Sequence, residues 1–190
     1  MYKDLFKWVI ALTTTPGKAW KELSEKEEKG DEYLSRFVFP LIGLVAVAAF
    51  LGILFIHKEF NVELALKSAI KVLIAYFGGF YLASYWLNEL LGSMFGKEKD
   101  LKLSQRFVGY SSAMMYALTA LLLIFPVSEF FFLRIFILYT VYIVWEGALF
   151  YMRIAEKQRL KFVLIASALI IVLPIIIELL LFMLMPGMRV

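Results

Sequence analysis

No cysteine occurs among the 190 residues. Disulfides, thiolate metal sites and covalent haem attachment are therefore excluded. There is one histidine, His57, which cannot furnish a zinc site or a Ser/His dyad on the cytoplasmic side. The sequence also lacks a phosphate-binding loop, an HExxH helix, a GxSxG elbow and any paired-carboxylate spacing suited to acid–base catalysis. These absences point to a non-enzymatic protein with no cofactor, no bound metal and no nucleic-acid partner. A cleavable signal is absent by the same reading, since the N-terminus is charged and the first apolar run begins at Phe37, late and long for a signal segment.

What is abundant is apolar residue, at 62% of the chain, against about 45–50% in soluble domains. The excess lies in runs of roughly 20 residues, the length that crosses a bilayer core. Five spans are expected at about 37–56, 64–91, 107–125, 130–152 and 162–185. No alternation of period two runs through them, so the class is all-α rather than a barrel. The expected organisation is a cytoplasmic amphipathic N-terminal segment, 1–36, followed by a five-helix transmembrane domain, 37–190. Basic residues follow this arrangement. Seven precede the first span (Lys3, Lys7, Lys18, Lys21, Lys26, Lys29, Arg36). Four lie between the second and third (Lys97, Lys99, Lys102, Arg106), and four between the fourth and fifth (Arg153, Lys157, Arg159, Lys161). The positive-inside rule then puts the N-terminus in and the C-terminus out, in a multi-pass protein of a prokaryotic cytoplasmic membrane.

Two short helices are expected before the first span. Tyr2–Leu12 gathers Leu5, Trp8, Val9 and Leu12 on one face, as in a helix lying on a membrane surface. Thr15 is a candidate N-cap for a second helix, with Pro16 in its first turn and Gly30 as its stop.

Polar residues recur at helical spacing inside the spans. On the second, Lys67, Lys71, Tyr81, Tyr85, Asn88 and Glu89 share an arc, beside a small-residue stripe of Ala75, Gly79 and Ala83. On the third, Ser112, Tyr116 and Thr119 run beside Gly109, Ala113 and Ala117. The fourth aligns Tyr139, Tyr142 and Glu146; the fifth aligns Ser167, Pro174 and Glu178. A charge facing lipid at mid-bilayer costs about 2.5–3.5 kcal/mol or more, so these faces are expected to turn inward. Depth arguments give two candidate sites. An inner polar cluster would join Tyr85, Asn88, Glu89, Tyr110, Ser112, Tyr142 and Glu146. An outer pair would join Lys71 and Glu178, beside a kink at Pro174. The first span carries Ala48-x-x-x-Gly52 but no polar stripe, and is expected to be peripheral to the polar interior. Phe130, Phe131, Phe132, Trp86, Trp145 and His57 read as an interfacial belt.

Three stretches resemble the Yip family of five-span membrane proteins (Ypt/Rab-interacting proteins), in its bacterial and archaeal branch. They are "TTPGKAWKEL" with Pro16, Ala19 and Trp20; "FVGYSSAMMY" with Gly109, Tyr110 and Ser111; and the tyrosine-rich "LYTVYIVWEGALFYM" before a basic loop. The proline often found soon after Gly-Tyr-Ser is replaced here by Ala113 and Met114, and the Asp-Leu-Tyr-Gly-Pro motif of eukaryotic members is missing. The resemblance implies trafficking and small-GTPase contact for eukaryotic relatives. For this chain it implies a five-helix integral membrane protein, without the small-GTPase partner. The fifteen basic residues on the cytoplasmic side and the amphipathic Tyr2–Leu12 stretch suggest a non-enzymatic membrane adaptor or organiser that binds a protein partner or anionic lipid at its cytoplasmic face, with homo-oligomerisation open. The alternative drawn from the carboxylates is a small cation or proton transporter.

Overall fold

The computed structural model describes residues 2–26, 32–56, 60–125 and 131–185; His57, Phe130 and Gly30 lie outside them. Among the described residues the chain is helical, with no strand. Helix α1 (Tyr2–Thr14) leads directly into α2 (Pro16–Glu25). A five-residue π-helical stretch, Leu34–Val38, opens α3 (Phe39–Ile56). Then come α4 (Val62–Phe95), α5 (Leu101–Ser111) and α6 (Ala113–Ile124). A 3₁₀ stretch, Phe131–Leu138, runs into α7 (Tyr139–Phe150), and α8 (Glu156–Leu184) is last. Four helical segments are long and apolar enough to cross a membrane: 34–55, 62–95, 132–150 and 156–184. The bent pair α5–α6, counted as one broken span, brings the number among the described residues to five. The molecule is an all-α, multi-pass membrane bundle.

Local chemistry explains most boundaries. Asn61 and Asp100 cap α4 and α5 by accepting the Leu64 and Leu103 amides at 2.9 and 3.0 Å. Gly96 ends α4 and Arg153 follows α7, both with positive φ, so that each chain reverses sharply. Thr15 does not cap α2 through its side chain: its hydroxyl turns back toward the Ala11 carbonyl, at 3.4 Å. Pro16 does stand in the first turn of α2, where a missing N–H costs nothing. The 42° bend between α5 and α6 falls at Ser112, whose hydroxyl donates to the Val108 carbonyl at 2.7 Å. That carbonyl also accepts the Ser112 amide, and such back-bonding bends helices.

Helix α4 is the spine, packed along α3 and α8 and, at its C-terminal end, against α5. Its buried face is Ala65, Ser68, Val72, Ala75, Tyr76, Gly79, Phe80, Ala83, Ser84, Leu87 and Asn88. The small-residue stripe therefore points inward, while Tyr81 and Tyr85 of the neighbouring arc are exposed. At Gly79 an added Cβ would lie 2.5 Å from the Pro174 ring, so the proline of α8 seats in a glycine notch. Helix α8 passes through Pro174 without a break. Gly52 of α3 meets the Leu123 carbonyl of α6 just as closely. The first span is thus not peripheral: α3 packs on both α4 and α6, with Leu41, Ile42, Val45, Ala48 and Ala49 buried.

The N-terminal helices are not held away from this bundle. Leu5, Trp8 and Leu12 of α1, and Ala19, Trp20 and Leu23 of α2, belong to the same buried core as Phe80, Phe107 and Ile143. The hydrophobic face of α1 formed by Leu5, Trp8 and Leu12 is buried in the protein.

Candidate functional site

At one end of the bundle the three short motifs meet. Trp20 has no exposed surface. Its indole N–H donates to the Ile143 carbonyl of α7 at 2.9 Å, and its ring stacks on Phe107 at 5.4 Å. Tyr151 and Tyr110 close the pocket at 5.1 and 6.2 Å. A Cβ at Gly147 would fall 2.6 Å from the Trp20 ring and 2.8 Å from Phe107, so glycine is what admits the indole to α7. Tyr110 in turn meets Trp8, Tyr33 and Phe37 at 6.4, 6.0 and 4.6 Å. Four rings from α1, α2 and the entry to α3 converge on Tyr110 of α5. Aromatic pairs add about 0.5–1.5 kcal/mol each beyond their burial. At Gly109 a Cβ would meet Val38 at 2.6 Å, which explains a glycine beside that tyrosine.

The inner polar residues expected to form one cluster are distributed around this hub instead. Asn88, Tyr110 and Ser112 are buried. Glu89 leans outward to Lys99, 2.6 Å away, whose side chain folds over Gly92. Tyr85 and Tyr142 are exposed. Glu146 reaches α2, its Oε2 lying 2.8 Å from the position of a Cβ on Gly17. The physical reason is packing: α4 lies chiefly against α3, α5 and α8, and α7 against α2 and α8, so the two carboxylates face different neighbours. Glu146 is tolerable near the membrane because it faces the first turn of α2, where the positive end of the helix dipole favours an anion.

The opposite end brings the outer pair together. Lys71 Nζ lies 2.9 Å from Glu178 Oε1, with side chains 13% and 35% exposed. Lys71 also sits 5.7 Å from the Phe182 ring, and Lys67 pairs with Glu63 at 2.6 Å. Beside this pair is a cavity of about 530 Å³ walled by α3, α4, α6, the 3₁₀ stretch and α8. Tyr76 donates to the Thr119 hydroxyl there at 3.2 Å. Of the helix-packing residues, Ala75, Gly79, Ala83, Gly109 and Ala113 are buried and Ala117 is half-buried.

Sequence reasoning marked Trp20 and Thr119 but not their partners. The i+4 spacing of Ile143 and Gly147 signals only a helix face, and nothing local says that an indole from 123 positions away will dock on it. Arg134, at the cavity wall, was visible as an isolated charge in an apolar run.

The sequence profile described as the Yip1 domain matches residues 10–178, which takes in α2, the hub, the bend and the outer pair. No curated protein and no solved structure matches the chain.

Proposed function

The chain belongs to the Yip1 domain family, and on that premise we propose that it is a non-enzymatic, membrane-organising protein that gathers anionic lipid at its cytoplasmic face, in a prokaryotic cytoplasmic membrane. One observation carries this reading. Helix α1 is fixed to the bundle by Leu5, Trp8 and Leu12, and on its outward side it presents Phe6 and Ile10, 58% and 59% exposed, beside exposed Lys3 and Lys7. An apolar edge flanked by lysines suits the boundary between headgroups and acyl chains. The basic loops support it: Lys18, Lys21, Lys99, Lys102, Arg153, Lys157 and Lys161 are all exposed. Each basic side chain near an anionic surface contributes about 1 kcal/mol, falling off within a Debye length.

The test uses the full chain in bilayers of phosphatidylcholine carrying a few per cent of photo-crosslinkable phosphatidylglycerol or photo-crosslinkable phosphatidylcholine. Phosphatidylglycerol is expected to react preferentially on α1, α2 and the basic loops. The preference is expected to weaken in salt and in a Lys3→Gln, Lys7→Gln, Lys18→Gln, Lys21→Gln variant. Equal yields from the two lipids, unaffected by salt or substitution, would remove the reading.

A further inference from the structure

The cavity at the far end of the bundle has the build of a small-molecule site. Its volume, about 530 Å³, falls in the range of roughly 300–1,000 Å³ that holds small ligands, and its walls are mainly apolar with a few polar groups, as such sites are. Along α4 it runs from Ser68 to Tyr76, which at the helical rise is about 12 Å. Ile53, Leu122 and Ile137 supply the apolar side, and Ala49 lines it on α3. Charge is placed at one end. Lys71 and Glu178 neutralise each other at 2.9 Å. Arg134 of the 3₁₀ stretch also lines the cavity and brings a guanidinium to it. A guanidinium offers five donors, so it can bind an anionic head group in addition to any protein contact.

We propose that this cavity binds a single-chain amphiphile with an anionic head group, drawn from the surrounding leaflet. The head group engages Arg134 near the membrane surface, and the Lys71–Glu178 pair lies beside it. The chain follows Ile53, Leu122 and Ile137 toward the Tyr76–Thr119 hydroxyl pair. A carboxylate and a phosphate share this recognition chemistry, and the two are separated by experiment. The site lies away from α1 and its lysines, so it is independent of lipid gathering at the cytoplasmic face.

The test follows thermal unfolding of the full chain in an uncharged detergent, titrated with oleate, lysophosphatidylglycerol and uncharged monoolein. Oleate, lysophosphatidylglycerol or both are expected to raise the midpoint saturably and more than monoolein does; which of them acts identifies the head group. Arg134→Gln is expected to weaken the anionic amphiphiles about tenfold and leave monoolein unchanged. Ser68→Leu, which fills the slot, is expected to abolish all three effects. Lys3→Gln with Lys7→Gln is expected to change none of them. The proposal is overturned if charged and uncharged amphiphiles act alike, if none acts, or if Arg134→Gln binds the anions as the parent does. Arg134 is exposed, so this variant decides the question even if Ser68→Leu fails to fold.

Discussion

The two ends of the bundle use the same kinds of residue to opposite effect. At the hub, Gly147 and Gly109 are faced by Trp20, Phe107 and Val38, all fully buried. At the far end, Gly52 brings α3 onto α6 while the adjoining Ala49 and Ser68 line open space. The difference lies in what is opposite each small residue. Four large rings surround Tyr110, whereas the cavity is bordered by branched aliphatics and a hydroxyl pair that cannot fill it. A glycine or alanine in a membrane helix is thus an offer of close approach, and the partner determines whether a joint or a pocket results.

Substitutions can break this contrast, and their effects should fall as the side chain replaced is less deeply buried. Trp20→Ala should cost about 3–5 kcal/mol, the range for a large buried aromatic, as a loss in the unfolding midpoint of the purified protein. Trp20→Phe keeps most of the packing and loses the bond to Ile143, so about 0.5–1.5 kcal/mol is expected for it in the same assay. At the α4–α8 joint, Gly79→Ala drives a methyl into the Pro174 ring and should cost about 1–3 kcal/mol. Weaker still is Lys71→Met, which leaves Glu178 half-buried without its cation; about 1–2 kcal/mol is expected, between the values for exposed and buried pairs. A compensating Glu178→Leu should restore most of that loss. Smallest is Lys99→Gln, which releases an exposed partner of Glu89 for no more than about 1 kcal/mol. If Lys99→Gln destabilised the protein more than Gly79→Ala, this ranking by burial would be wrong.

Most of the fold is legible in the sequence because lipid imposes simple rules. Run length marks the spans, and the small-residue stripe of α4 marks its packing face correctly. The adjacent polar arc misleads: Tyr81 and Tyr85 are amphipathic enough to remain outside, so helical spacing alone does not say which of two neighbouring faces is buried. Depth matching is informative for Lys71 and Glu178, where α4 and α8 touch along their length. It fails for Glu89 and Glu146, whose helices face different neighbours although their depths agree. The docking of α1 and α2 is the least legible feature. An apolar face of Leu5, Trp8 and Leu12 fits a membrane surface and a protein groove equally well, and only the three-dimensional position of Tyr110 and Gly147 selects the groove.

The account rests on the N-terminal helices being structural members of the bundle. The most direct measurement compares the full chain with one lacking residues 2–26, both purified in the same detergent and unfolded by heat. Removing α1 and α2 strips Trp8 and Trp20 from the hub and uncovers Phe107, Tyr110 and Gly147, so the shortened chain should lose cooperative unfolding or melt far below the parent. A shortened chain that melts cooperatively at the parent's midpoint would contradict the account and reduce the two helices to a tail.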